Sequence, residues 1–461
     1  MIASDVLVVG GGLAGIASAV AAARAGADVR LVSHKKTSLR QASGLVDALG
    51  YVPARADPTD RSAYVSQERR DVREVRAERS PPRGPLASPF DGLADLPGDH
   101  PYSVLGPEAL REGLALFDDL AGDLYAGGHT ERNALVPTFG GTLKPTARYP
   151  RAAAAGLASD DRPMLVAGFR SFTDFDARLV ASGLASADVP FDVDGVEVGF
   201  VTGFADDAAV TRVASALDRD EPVDGVPARR ALASAVEPHL GDAERVGFPA
   251  VLGDDDAEGV RRELGDRLGV DVFELPMGPP SLPGLRLEDR LYDALDAEGV
   301  RFETGNPVVG YETDESGRLT AVTVDRKGTE VPYADEAFVL ATGGLVGKGL
   351  ASDREAVREP VFDCHVPHPT DRYDWFVEDA FGDQPYARFG VRIDDATRPL
   401  DAEGDPEFPN LFAAGSVVGG ADVAREKSAS GVSLTTGLVA GRRAAASIEP
   451  STDRLRVDDN D

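Results

Sequence analysis

The run Asp5-Val6-Leu7-Val8-Val9-Gly10-Gly11-Gly12-Leu13-Ala14-Gly15 constrains this chain more than any other feature. Its short apolar stretch fits a strand buried on both faces. A G-x-G-x-x-G turn between such a strand and a helix is the one that admits a nucleotide pyrophosphate. Gly10 permits the tight turn, Gly12 lets backbone approach phosphate, and Gly15 lets helix and sheet pack closely. Gly11 and Ala14 complete the loop, and the helix N-terminus offers N–H groups and a positive dipole end. Residues 13–24 are rich in alanine, with Gly26 as the stop, and residues 29–32 form the second strand. A carboxylate about 20 residues past the turn would meet an adenosine ribose. The second strand ends instead in Ser33-His34-Lys35-Lys36, which suits a phosphate or open solvent.

Two further strands end in glycine turns: residues 337–341 run into Thr342-Gly343-Gly344, and residues 411–414 into Gly415-Ser416. Such turns let backbone approach a flat or phosphorylated ligand at the carboxyl edge of a sheet. The expected fold is α/β, a doubly wound Rossmann-like flavoprotein domain with an inserted second α+β domain. Residues 1–52 begin the binding domain, 53–285 are an excursion and insertion, 286–448 are the return, and 449–461 an acidic tail. Helices are expected over 107–121, 174–186, 257–268, 287–298 and 429–447. A β-meander is expected over 308–311, 319–325 and 330–332, apart from the strand at 337.

Of 461 residues, 48 are basic and 78 acidic, a net charge of −30, and only six of the basic residues are lysine. That balance excludes general nucleic-acid binding, which needs a basic face, and direct adsorption to an anionic bilayer. Asp-rich, Arg-rich and Lys-poor composition is that of a halophile's protein. Cys364 is the only cysteine. No internal disulfide or four-cysteine cluster can form, which fits a reducing compartment. No secretory signal is expected, and no apolar stretch reaches the roughly 18 residues of a membrane span. Asp363, Cys364, His365 and His368 suggest metal ligands, but Pro367 and Pro369 break any helical face, so no metal is expected.

An ordered set of segments then resembles the B subunit of anaerobic glycerol-3-phosphate dehydrogenase along nearly the whole chain. It comprises the first glycine turn, Ala42-Ser43-Gly44-Leu45-Val46-Asp47, the residues 100–107 beginning His100-Pro101-Tyr102, and Gly141-Thr142-Leu143-Lys144. Residues 168–175, 279–286, 358–360, 397–399 and 410–417 complete it. The resemblance implies oxidation of sn-glycerol 3-phosphate to dihydroxyacetone phosphate, with electrons passing to quinone. It implies FMN, with FAD as the alternative. It also implies a catalytic A subunit, paired with this chain on a membrane-bound iron–sulfur C subunit. The location implied is cytoplasmic, attached to the inner face of the membrane only through a partner. In large flavoproteins the last turn faces the ribityl chain and the following helix aims its N-terminus at the flavin ring. Ser416 stands where those proteins usually carry Asp.

The cofactor-binding candidates are therefore Gly10, Gly11, Gly12, Ala14, Gly15, Ser33, Ser43, Gly44, Thr342, Gly343, Gly344, Gly415 and Ser416. A substrate phosphate calls for fixed cations; Lys144, Arg170, Arg286 and Arg398 lie in loop-like segments that could present them. The hydroxyl proton calls for a base, for which His100 and Asp174 are candidates. The alternative is a non-catalytic electron-relay or structural partner of the catalytic A subunit.

Overall fold

The computed structural model describes residues 2–36, 38–53, 82–200, 210–380 and 382–448. Residues 54–81 and 201–209 of the expected excursion and insertion, and the whole acidic tail 449–461, lie outside the described residues.

The central sheet is seven-stranded. Five strands run parallel in the order Arg301–Thr304, Val29–Ser33, Ile2–Val9, Glu330–Leu340, Leu411–Ala413. Alternate side chains of the first strand serve opposite faces, as the pleat requires. Val6 and Val8 join a core with Ile16, Leu114, Phe117, Leu291 and Leu438, while Leu7 and Val9 join another with Phe338, Phe362, Val391 and Val417. The first face is covered by helices Leu13–Arg24, Leu282–Ala297, Pro101–Ala121 and Ala429–Ala446. Strands Val308–Thr313 and Leu319–Asp325 turn antiparallel beside it.

The third meander strand and the strand leading to Thr342, expected as separate elements, are one 11-residue strand, Glu330–Leu340. Its early residues pair with Leu319–Asp325 and its last three with Leu411–Ala413. Pro332 sits within it opposite Thr323. A proline that reads as a break in sequence is tolerated where no ladder donor is needed.

The expected insertion contains a second sheet with its own core of Val166, Phe169, Phe248, Leu232 and Leu264. Its strands Asp271–Leu275, Arg245–Pro249, Met164–Phe169 and Val193–Val198 lie in that order and all run parallel. The short antiparallel pair Ala134–Pro137 and Leu143–Thr146 stands apart from it. The helix Pro101–Ala121, expected within the insertion, packs on the first core instead through Leu110, Leu114 and Phe117. Its apolar face matches that of helix Ala429–Ala446, a pairing that sequence spacing does not reveal. Gly106, at φ 82 and ψ 166, is not helical and divides this stretch, so a short helical turn over 101–105 precedes the longer helix that begins at the expected Pro107.

Candidate functional site

Strand Ile2–Val9 delivers the chain into the first glycine turn. Gly10 has φ 120, which favours glycine, and its amide donates to the Val32 carbonyl at 2.8 Å. A side chain on Gly10 would collide with the Ala341 carbonyl, and one on Gly15 with the Gly10 carbonyl. Gly12 differs: a Cβ there meets no protein atom within 4 Å. Gly12 is also the N-cap of helix Leu13–Arg24, and no side chain caps that end. The turn therefore leaves open space in front of uncapped helix donors, as a phosphate-binding turn should.

The other two turns close on the first. Ala341 donates its amide to the Val9 carbonyl at 2.8 Å. A Cβ on Gly344 would stand 2.8 Å from the Ser416 carbonyl, and one on Gly415 2.7 Å from the Ala14 Cβ. Gly343 and Gly415 have φ 90 and 76. The Gly415 amide donates to Thr436 Oγ1 at 2.8 Å, which ties this turn to the last helix. The buried Thr342 Oγ1 has no hydrogen-bond partner in the protein and lies against Gly349, where an added Cβ would stand 2.6 Å from it. The open space and uncapped helix donors at Gly12 are what fit the cradle to a phosphorylated cofactor.

Ser33 is buried; its Oγ donates to the Lys35 carbonyl at 2.6 Å and packs against Gly11. His34, Lys35 and Lys36 are exposed. Ser43 and Gly44 lie over the start of helix Leu282–Ala297, where a Cβ on Gly44 would stand 2.6 Å from the Pro283 side chain.

The N-terminus of helix Ala429–Ala446 departs from expectation. Ser430 donates its amide to Asp47 Oδ1 at 2.9 Å, and Gly431 donates to the Asp47 carbonyl at 2.7 Å. Asp47 Oδ2 also pairs with Lys144 Nζ at 2.9 Å. These helix donors are thus occupied by the chain's own carboxylate and carbonyl and are closed to a ligand. Asp47 ends one of the segments that carry the family resemblance, yet it is not among the candidate site residues; one acidic residue among 78 carries no signal of its own.

The polar candidates do not assemble beside the turns as free groups. His100 has no exposed surface. Its Nδ1 accepts from the Tyr102 amide at 3.0 Å as a helix cap, and its Nε2 lies 3.2 Å from the buried Glu426 carboxylate. Both ring nitrogens are engaged, so His100 has none to offer a substrate. Burial, with Asp47 and Glu426 nearby, pushes the Tyr102 hydroxyl well up, and it donates to the Ala48 carbonyl at 2.6 Å. Arg286 holds Glu274 at 2.6 Å, and Arg398 holds Asp394 at 2.7 Å.

Arg170 and Asp174 are exposed beyond strand Met164–Phe169, at the carboxyl edge of the second sheet. Arg170 Nε donates to the Glu197 carbonyl at 3.3 Å. The adjoining helix Ala177–Ser186 has its first donors taken by carboxylates: Ala177 by Glu197, and Arg178 and Leu179 by Asp176. Two acids at that helix start oppose a substrate phosphate there.

Among the described residues, no group of three or more His, Cys, Asp or Glu is placed to hold a metal ion. No described helix is long and apolar enough to cross a membrane.

The chain matches the family described as FAD binding domain over residues 5–432. It is 54% identical, over 97% of this chain and 99% of the relative, to the probable B subunit of anaerobic glycerol-3-phosphate dehydrogenase from Halobacterium salinarum. The corresponding protein of Yersinia pestis is 30% identical over 94% of this chain and 96% of that relative. Among solved structures, an open flavocytochrome c3 fumarate reductase aligns with 97% of this chain and 79% of its own, at 13% identity and a TM-score of 0.43. The family's described ligand is FAD, where FMN was the first expectation; a flavin cofactor is common to both. The chain belongs to the FAD binding domain family and, within it, to the B-subunit proteins of anaerobic glycerol-3-phosphate dehydrogenase.

Proposed function

We propose that this chain is the FAD-bearing subunit of a complex that oxidises sn-glycerol 3-phosphate to dihydroxyacetone phosphate, passing electrons through companion subunits towards quinone. The observation that carries the reading is the meeting of three glycine turns, with open space and an uncapped helix start at Gly12. Gly10, Gly12 and Gly15 would receive the pyrophosphate, with the uncapped helix start facing it. Thr342, Gly343, Gly415 and Ser416 would line the rest. FAD is preferred to FMN because a pyrophosphate is what a turn of this kind admits and because the family is described by that ligand.

When bound, a flavin supplies the acceptor for the electron pair of an alcohol oxidation. The chain's own part would be to hold it, through backbone at the glycines and the uncapped amides that begin helix Leu13–Arg24. Asp47 and Lys144, beside the same edge, fix the last helix against the hairpin that carries Lys144.

A second reading is favoured by a specific observation. Lys144, Arg286 and Arg398 are each mated to a carboxylate of this chain, and His100 is fully buried. With these four occupied or buried, and only Arg170 and Asp174 of the candidate cations and bases exposed, at the carboxyl edge of the second sheet, the chain would relay electrons while the catalytic A subunit oxidises the substrate. Location at the inner membrane face through a membrane-bound iron–sulfur C subunit belongs to either reading.

The test is the absorbance spectrum and acid-released flavin of the purified chain, followed by dye reduction with glycerol 3-phosphate. Released FAD is expected. A folded chain that stays colourless after incubation with FAD and with FMN sinks the proposal. Dye reduction by the chain alone removes the relay reading, and reduction only with the A subunit present supports it.

A further inference from the structure

Between the second and third cofactor turns the chain makes an excursion built on two 3-10 turns, Arg372–Trp375 and Pro385–Arg388. Its inner side is a knot of rings. Trp375 Nε1 donates to the Pro369 carbonyl at 2.7 Å, and its ring meets His368 and Phe389 edge-on at 5.5 and 6.2 Å. Phe389 is buried, and His368 Nε2 accepts from the Val357 amide at 3.3 Å. The outer side carries Tyr373, Phe376 and Tyr386, exposed by 71%, 45% and 46%. These are three of the five exposed Phe and Tyr side chains among the described residues, gathered within fourteen positions. A chain this polar has ample side chains to present to solvent. Aromatic rings held outward by an anchored turn therefore indicate a surface kept for contact.

Charge says what covers it. Residues 371–388 hold five carboxylates against two arginines; Asp383 is paired internally by Arg388 and Arg425, and Arg372 lies over the Tyr373 ring at 5.7 Å. Asp371, Asp374 and Glu378 are exposed around the rings. A second copy would set acid against acid, and an anionic bilayer would be repelled for the same reason. An arginine-bearing apolar surface is complementary on both counts, since guanidinium groups pair with carboxylates and lie over aromatic faces.

The face also adjoins the cofactor end of the sheet. Val391 donates its amide to the Val417 carbonyl at 2.9 Å, and Gly420 donates to the Arg388 carbonyl at 3.0 Å. It is thus stitched to the backbone that follows Gly415 and Ser416.

We propose that the acid-rimmed face of Tyr373, Phe376 and Tyr386 docks the catalytic companion of this chain through an arginine-bearing apolar surface. This rests on reading the chain as a member of a complex. Partner contact there lies beside the turn assigned to the flavin, where electrons have a short way to travel.

The test uses the full flavin-loaded chain and the catalytic A subunit of the same organism, with binding measured by calorimetry. One variant combines Tyr373→Ser, Phe376→Ser and Tyr386→Ser; a second combines Asp374→Lys and Glu378→Lys. Each is expected to weaken binding about tenfold or more, the size of effect expected at interface hot spots, with flavin content and melting temperature unchanged. Should the triple variant lose thermal stability, the charge-reversed variant still decides. Wild-type affinity in a folded variant overturns the docking face and leaves the complex standing. No binding by the wild type overturns both.

Discussion

Lys144 Nζ lies 2.9 Å from Asp47 Oδ2, and the same carboxylate holds the Ser430 amide at 2.9 Å. One acidic side chain thereby joins three distant pieces of sequence: the loop after the second strand, the hairpin strand Leu143–Thr146 and the start of the last helix. Lys144 was expected to meet a substrate phosphate; in the structure its partner is internal.

Removing the ammonium leaves a buried carboxylate with the Ser430 amide alone to satisfy it. Lys144→Ala is expected to lower stability by about 1–3 kcal/mol, the penalty of a buried polar group that loses its partner. Chemical denaturation of the two proteins measures it. An unchanged midpoint and slope would show that the ion pair contributes nothing.

Gly10 and Gly12 should separate folding from cofactor binding. Gly10→Ala forces a side chain into the Ala341 carbonyl at a φ of 120, so the variant should melt earlier or fail to accumulate. Gly12 has extended backbone, φ −78 and ψ −178, and free space around it. Gly12→Val meets no steric clash and should cost the flavin-free protein only about 1 kcal/mol, the loss of a favourable N-cap residue. Flavin retention should nevertheless fall about tenfold or more, roughly one lost charge-assisted hydrogen bond. Equilibrium dialysis against FAD reads the second effect. Full retention in a stable Gly12→Val protein removes the pyrophosphate from this turn.

At the opposite edge of the sheet, burial raises the Asp335 carboxyl to about 6, against hydrogen bonds from the Ser4 amide and hydroxyl that favour its charged form. A raised carboxyl binds its proton more tightly folded than unfolded. Its stabilisation is complete below the unfolded value near 4 and is lost as pH rises through about 6. This group alone should make the wild type weaker at pH 7 than at pH 4 by up to about 3 kcal/mol. Asp335→Asn should remove that part of the slope, as denaturation at the two pH values will record. Parallel profiles for the two proteins would refute it.

Cys364 is buried, and burial with Glu359, Glu407 and Asp363 around it holds the thiol far above its ordinary value. The thiolate is the reactive form. Ellman's reagent should therefore titrate no thiol in the native protein in mild alkali and the single one in denaturant. Rapid native labelling would contradict the burial.

Among these features, the turns and the strands that feed them were legible from residue order alone. A buried parallel strand must be apolar, a tight turn at φ above zero favours glycine, and helix packed on strand leaves no room for a side chain, so Val6–Val9 with Gly10 and Gly15 were readable in place. Helix Ala257–Leu268 was legible to the residue for a like reason: Asp256 caps its start and Gly269 ends it at φ 72. These are local rules, and each residue carries its own signal. Three decisions belonged to the folded chain. The turns at Gly10, Gly343 and Gly415 meet because their strands pair in the sheet, with Ile2–Val9 beside Glu330–Leu340 and that strand beside Leu411–Ala413. Helix Pro101–Ala121 joins the first core because its apolar stripe matches the last helix. Arg286, Lys144 and His100 gained internal partners that no spacing announces, whereas Arg398 meets Asp394 only four residues away. A charged side chain reads the same in sequence whether it meets a substrate or Glu274, and only the fold brings the competing carboxylate within reach.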